Sequence, residues 1–325
     1  MAIIGIDVSK KKLDCLWLNQ STGKVKSRVF TNNLAGYSAL LDWAQKQTHE
    51  ERERLHFIME ATGIYHEALA TQMYQAGAKV SVVNPAQVCS YAKSLGKRTK
   101  TDKKDSMVLA RYGATQEPRL WQPEPEEVRL LKALIARINA VEQDIQREKN
   151  RLEKAEIVQV SNEILISIHT VLKQLEKEKE RLDTLINQHI DQHPTLKRDR
   201  QLLESIPGVG PVISRVMLSV IRSRTFNSAS QCAAYLGLNP VQHESGSSVR
   251  KKARLSKAGD ARVRAKLYMA AVVCIQHNPD IKRQYERLTK KGKAKMSALG
   301  AAMRKLVHIC FGVLKHQTLY QVQAL

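Results

Sequence analysis

The sequence is poor in the features that mark secreted, thiol-dependent or membrane-spanning proteins. Its five cysteines, Cys15, Cys89, Cys232, Cys274 and Cys310, are scattered and form no CxxC pair. That spacing argues against a zinc site or a disulfide framework and fits a reducing cytoplasm. No signal peptide is visible, because Asp7 interrupts the first apolar run. No uncharged stretch is long enough to span a bilayer, so a membrane partner is not expected. There is no internal repeat. Acidic residues are scarce toward the C-terminus, where residues 200–325 hold 5 acidic against 22 basic side chains.

That scarcity defines the charge. The 325 residues carry 53 Lys and Arg against 31 Asp and Glu, a formal net charge of +22. Such a surplus attracts polyanions, of which nucleic acid is the usual one. Residues 1–120 hold 18 basic and 11 acidic side chains, and residues 121–199 hold 13 and 15. The C-terminal third is therefore the main candidate for polyanion binding. The length allows two or three domains. The pattern divides them at 1–120, 121–197 and 198–325.

The first division alternates strands and helices. Apolar runs at 2–6, 13–18, 25–30, 55–59 and 79–83 read as strands. Helical spacing is expected over 34–47, with Asn32 and Asn33 as plausible caps, and again over 65–76 and 102–112. Three strands, a helix, then strand, helix, strand, helix is the order of a ribonuclease-H-like α/β domain. Pro118, Pro123 and Pro125 mark a linker. Beyond it, Leu131, Leu134, Ile138, Val141, Ile145 and Leu152 form one apolar seam, and Ile168, Leu172, Leu175, Leu182 and Ile186 a second. Two coiled-coil-like helices are expected, as an antiparallel hairpin or a dimerisation arm. After His193-Pro194 the pattern is mainly helical.

Two constellations carry chemistry. Asp7 and Glu60 each close an apolar run, where a carboxylate is costly unless compensated. Asp102 and Asp105 share one face of a helix. Taken singly, each could be a solvated charge or a cap. Gathered at the strand ends of an α/β sheet, they suit a hard cation such as Mg²⁺ or Mn²⁺ and metal-assisted phosphodiester chemistry. Further on, Ile206-Pro207-Gly208-Val209-Gly210 separates two apolar helices as a helix–hairpin–helix does. Gly208 and Gly210 would let backbone N–H groups approach a phosphate. An ordinary helix connection fits the same residues. Then His243-Glu244-Ser245-Gly246-Ser247-Ser248 precedes Arg250, Lys251, Lys252, Arg254 and Lys257. A hydroxyl among such cations could attack a phosphodiester. From the residues alone, a flexible Ser/Gly loop ahead of a basic DNA-binding helix is the simpler reading, and any of three serines could serve.

Together these segments resemble one family. Gly5-Ile6-Asp7-Val8-Ser9-Lys10, Met59-Glu60-Ala61-Thr62-Gly63, Val83-Asn84-Pro85, Lys100-Thr101-Asp102-Lys103-Lys104-Asp105, Ile206-Pro207-Gly208-Val209-Gly210 and Glu244-Ser245-Gly246-Ser247-Ser248-Val249-Arg250 are similar to the transposases of insertion-sequence family 110, relatives of the Piv/MooV DNA invertases. The resemblance runs nearly end to end. It implies a RuvC-like N-terminal domain with Asp7, Glu60, Asp102 and Asp105 as a DEDD set of ligands for Mg²⁺, and a C-terminal transposase domain with Ser245 as nucleophile. It also implies donor and target DNA as substrates, a structured non-coding guide RNA, a homodimer or homotetramer, and work at the bacterial nucleoid. Composition alone does not separate RNA from DNA. Three rivals make different demands. A RuvC-like nuclease would hydrolyse with water and leave no protein–DNA adduct. A non-catalytic nucleic-acid-binding protein would bind with steep salt dependence and do no chemistry. An actin-like sugar kinase shares a phosphate loop like Ile4-Gly5-Ile6-Asp7-Val8-Ser9, but a second Asp-x-Gly-Gly loop is missing here and the C-terminal third is too basic.

Overall fold

The computed structural model describes residues 1–96, 102–245 and 249–322, with the backbone alone for 102–103, 243–245 and 249–252. The chain divides into two compact units, Met1–Pro123 and Glu124–Leu325.

The first unit is built on a mixed sheet of order β3-β2-β1-β4-β5. Its strands are β1 (Ala2–Val8), β2 (Lys12–Leu18), β3 (Val25–Thr31), β4 (Leu55–Glu60) and β5 (Lys79–Val83). β1, β2 and β3 pair antiparallel, whereas β4 and β5 continue from β1 in parallel. Helices α1 (Leu34–Thr48) and α2 (Glu67–Gln75) supply the crossovers that parallel strands need. The central strands are apolar on both faces because both are covered. Ile4, Ile6, Phe57 and Met59 pack toward Leu40, Ala44, Leu69 and Met73 of α1 and α2. Ile3 and Ile58 pack the other way, toward Val88 of α3 (Pro85–Ser94) and Val108 and Leu109 of α4 (Asp102–Gln116). At the edge, β3 is exposed along most of its length and carries Lys26 and Arg28, charges that discourage pairing with another chain.

These elements follow the expected order. The helix missed by the sequence reading is α3. Asn84-Pro85 does stop β5, but it also starts a helix: the Asn84 side chain accepts from the Ala86 N–H and Pro85 occupies the first turn. The proline-rich linker is also more constrained than expected. Buried Ser81 Oγ donates to the carbonyls of Pro118 and Arg119, and the Trp121 N–H donates to Val80 O at 2.7 Å. The segment is thus strapped along β5, with Trp121 edge-on to Tyr74.

The second unit begins with two long helices, α5 (Glu126–Val158) and α6 (Asn162–Gln192). They lie antiparallel: His189 near the end of α6 bonds Glu127 O at the start of α5, and Lys149 meets Glu176 at 3.3 Å midway. The expected seams face each other, with Leu131, Ile138, Val141, Ile145, Leu172, Leu182 and Ile186 buried. They merge into the core of α7 (Pro194–Glu204), α8 (Pro211–Arg222), α9 (Ala229–Tyr235), α10 (Ala261–His277), α11 (Pro279–Lys290) and α12 (Lys295–His316). By length and composition α12 could cross a membrane, yet Leu299, Met303, Leu306, Val307 and Cys310 make it the core helix of this unit. Fully buried Asp199 on α7 accepts two bonds from Arg222 on α8 and one from Gln317 after α12. Removing Arg222 would leave the buried Asp199 carboxylate without its main partner, a cost of about 1–3 kcal/mol or more.

The first unit also holds a buried histidine. His56 is 4% exposed and bonds Ser81 Oγ at 2.8 Å. Since the Ser81 proton goes to a carbonyl, His56 Nε2 is the donor of that bond. Burial, and secondly Lys79, push the imidazole down to about 4. The folded form therefore refuses a proton that the unfolded chain takes up near its ordinary value, and stability is lost as pH falls from about 6.5 toward 4. The loss is expected to reach at most roughly 3 kcal/mol and to shrink in His56→Gln. All three tryptophans lie in this unit, so urea unfolding followed by tryptophan fluorescence at pH 7.5 and 5 reads it directly. An equal pH slope in His56→Gln would show that the histidine is not the cause.

Candidate active site

The strand register brings two acids side by side. Gly5 pairs with Ile58 and Ile6 with Met59, so Asp7 and Glu60 are the next residues on neighbouring parallel strands. Side chains alternate along a strand. Ile3 and Ile58 face α4, so Gly5, Asp7 and Glu60 fall on that face too. Both acids are half-buried.

Gly5 explains how α4 reaches them. A Cβ there would lie 2.1 Å from Ser106 O and 2.4 Å from Ala110 N, so the helix backbone rests on the strand backbone. Three residues after Ala110, a Cβ on Gly113 would meet Ile58 and Ile3. The helix therefore runs against β1, and its N-terminal turn points to the strand ends that carry Asp7 and Glu60. Asp102 opens α4, and half-buried Asp105 precedes Ser106 at the contact. A helix N-terminus favours acidic side chains in its first turn. All four expected acids thus share one edge of the sheet by backbone placement. The Asp102 side chain lies outside the described residues. Among the described residues, no three His, Cys, Asp or Glu side chains close on a common point that could hold a metal. The all-carboxylate donor set fits Mg²⁺ or Mn²⁺ in chemistry.

The second unit presents Ser245 on a hairpin. β6 (Pro240–Ser245) and β7 (Val249–Leu255) pair antiparallel, with Ser245 opposite Val249 as the last pair before residues 246–248, which lie outside the described residues. Arg250 stands opposite Glu244 and Lys251 opposite His243. This corrects the expected basic helix: Arg250, Lys251, Lys252 and Arg254 are on a strand, and the next helix begins only at Ala261. Alternation of Val249, Ala253 and Leu255 was the signal for it. The hairpin's base is fixed by backbone contact. Gly237 has φ +72°, and a Cβ on it would sit 2.8 Å from Ala258 N. A Cβ on Gly259 would meet Tyr235 O at 2.4 Å. Ser256 N–H donates to Asn239 O, Lys257 N–H to Gly237 O, and Arg304 donates to the Asn239 side chain. Lys257 itself is exposed with φ 56°.

The Pro-Gly-Val-Gly turn joins α7 and α8 as expected, but its glycines differ. Gly208 has φ +89°, and a Cβ would lie 2.6 Å from Cys274 Sγ on α10, so this glycine serves packing. Gly210 caps α8 and faces open space.

Two family descriptions match this chain: "Transposase", the DEDD transposase model of IS110, over residues 4–155, and "Transposase IS116/IS110/IS902 family" over residues 200–286. The chain is 35% identical to the pilin gene-inverting protein of Moraxella bovis, over 96% of this chain and 95% of that one. The chain belongs to the IS110 family of transposases. This is a family of recombinase-type enzymes acting on DNA. The pilin gene-inverting protein of Moraxella lacunata is 36% identical over the same shares. An IS110 insertion-element protein of Streptomyces coelicolor is 26% identical over 49% of this chain and 38% of its own length. Among solved structures, Thermus thermophilus RuvC in complex with a Holliday junction substrate covers 37% of this chain and 99% of that one, at 13% identity and a TM-score of 0.28.

The four buried cysteines of this IS110-family chain are poor nucleophiles. Burial pushes Cys232 up to about 12 and Cys274 to about 11, and raises Cys15 and Cys310 too, so all four stay as thiols.

The contact at Gly5 generates a prediction. Gly5→Ala forces α4 off the sheet and is expected to destabilise the first unit by about 1–3 kcal/mol, as overpacking does. Tryptophan-monitored urea unfolding measures it. A Gly5→Ala protein as stable as the parent would mean that α4 does not rest on β1 as described.

Proposed function

We propose that this chain is an RNA-guided recombinase of an insertion sequence, exchanging DNA strands through a phosphoserine link at Ser245. The observation that carries the reading is the placement of Asp7, Glu60, Asp105 and the backbone of Asp102 at one sheet edge under the start of α4. The serine half is supported by the position of Ser245 at the end of an anchored hairpin strand, opposite a basic one. Guide RNA, a dimer or tetramer, and donor and target DNA are supported by the family resemblance. The net charge of +22 supports polyanion binding of either kind.

Asp7, Glu60, Asp102 and Asp105 would hold Mg²⁺ or Mn²⁺, which when bound supplies charge neutralisation at a phosphodiester. The chain's own steps are these. Ser245 Oγ attacks the phosphorus; the Oγ–P bond forms and the P–O3′ bond breaks. The serine proton ends on the departing oxygen, leaving a free 3′-OH. Arg250, Lys251, Lys252, Arg254 and Lys257 would hold the non-bridging oxygens and the flanking backbone. A 3′-OH from the other duplex then attacks the same phosphorus, and Ser245 regains its proton. No water enters, so the phosphodiester count is conserved.

Incubation with Mg²⁺, the element's RNA and labelled donor and target duplexes, followed by denaturing gels, is expected to show a protein–DNA adduct that Ser245→Ala abolishes. Cleavage without an adduct, unaffected by Ser245→Ala, would instead make the chain a hydrolytic nuclease. Salt-dependent binding with no chemistry would make it a non-catalytic binder.

The two turn glycines separate packing from binding. Gly208→Ala is expected to lower stability. Gly210→Ala is expected to keep the fold and weaken duplex DNA binding roughly tenfold, the value of a hydrogen bond to a charged phosphate. Unchanged affinity in Gly210→Ala, measured by fluorescence anisotropy, would remove this turn from the DNA contact.

A further inference from the structure

The loops that leave the two strand-end acids are tied to each other by a single side chain. Asn32, between β3 and α1, is half-buried. Its Nδ2 donates to Ser9 O at 2.9 Å and to Tyr65 O at 3.1 Å. Its Oδ1 accepts from the Tyr37 hydroxyl at 2.6 Å. Its backbone N–H donates to Lys11 O. Ser9 lies two residues beyond Asp7, and Tyr65 five beyond Glu60. Asn32 and Asn33 both qualified as helix caps by sequence. The structure gives the cap to Asn33, whose side chain accepts from Gly36 N–H, and leaves Asn32 for this bridge.

We infer that Asn32, oriented by Tyr37, is a positioning residue that holds the β1–β2 turn to the β4–α2 loop and so fixes the separation of Asp7 and Glu60. The inference rests on the reading of those two acids as metal ligands. The chemistry of the bridge is specific. Two carbonyls need two N–H donors from one short side chain, and Tyr37 needs an acceptor; a primary amide is both. Tyr37 is buried, and burial raises its hydroxyl above the ordinary value, so it remains a donor. The tyrosine thereby sets which way the amide faces. Between β1 and β4 the register ends at Ile6 with Met59, one residue short of the two acids, while Val8 still pairs with Leu13 and the Ala61 N–H still donates to Val83 O. The bridge is a side-chain tie between the two loops beyond the last β1–β4 pair.

The test is Mn²⁺ binding to the full-length chain, followed by electron paramagnetic resonance, together with thermal unfolding read by tryptophan fluorescence. Variants are Asn32→Ala, Tyr37→Phe, the double variant and Asp7→Asn. Wild-type binding is expected to be lost in Asp7→Asn. Asn32→Ala is expected to weaken it about 10- to 100-fold, the usual effect of removing a group that orients a ligand. Tyr37→Phe is expected to weaken it less, and the double variant no more than Asn32→Ala, because Tyr37 acts through Asn32. If Asn32→Ala fails to fold, Tyr37→Phe, which keeps the ring's packing, carries the test. Lowered melting temperatures with unchanged Mn²⁺ affinity in both single variants would overturn the inference and leave Asn32 as a stabilising contact. Mn²⁺ binding by the parent chain that Asp7→Asn does not alter would overturn the carboxylate reading itself.

Discussion

The arrangement of the first unit depends on one close approach, the backbone of α4 resting on β1 at Gly5. A helix laid on a sheet ordinarily stands off by the depth of the intervening side chains. Here one position has no side chain, and the helix settles onto the strand. Ser106 and Ala110 then sit over Gly5, and the preceding turn has nowhere to go but the strand ends. A helix packed at ordinary distance would place Asp105 several ångströms higher. The hydrophobic pairs on either side, Ile3 and Ile58 with Val108 and Leu109, hold the contact closed.

The second unit uses the same device for a different end. At the base of the β6–β7 hairpin, Gly237 and Gly259 let two backbone segments touch, and Asn239 is bonded from both sides. The anchor is local and made of backbone, so it does not depend on how apolar the hairpin is. That suits a hairpin whose outer strand reads Val-Arg-Lys-Lys-Ala-Arg-Leu and could not anchor itself through a buried face. The anchor fixes the base of both strands, the one that ends at Ser245 and the one that carries Arg250 and Arg254.

How legible this was from sequence differs by element. β1 and β4 of the first unit could be read because central strands buried on both faces are nearly continuous apolar runs, and few other arrangements tolerate Ala-Ile-Ile-Gly-Ile or Leu-His-Phe-Ile-Met. The two acids stood out for the same reason, as charges at the ends of such runs. The long helices of the second unit were legible through their seams. β7 was not, because its period-two signal of Val249, Ala253 and Leu255 is interrupted by Lys251 and masked by a run of cations that fits a helix equally well. Asn32 was misread as a cap for a deeper reason. Its partners Ser9 and Tyr65 are 23 and 33 residues away, and a single sequence carries no trace of such a tie. Gly5 carried only half its meaning in sequence: a glycine inside a strand signals a close approach, but not of what.

The distribution of charge orders the chemistry on the proposed reading. A phosphodiester is drawn first to the C-terminal third, where 22 basic side chains face 5 acidic ones. On the same reading Asp7, Glu60, Asp102 and Asp105 would hold a cation, and Lys100, Lys103 and Lys104 flank two of these acids in the sequence. On that reading, capture of DNA by the basic hairpin would need no metal, whereas chemistry at the acids would. The two halves therefore differ in what they require: binding is governed by salt, and chemistry by the divalent ion. A chain that separated them in this way could hold DNA in a committed but unreacted state, with strand exchange waiting on the carboxylate edge being filled.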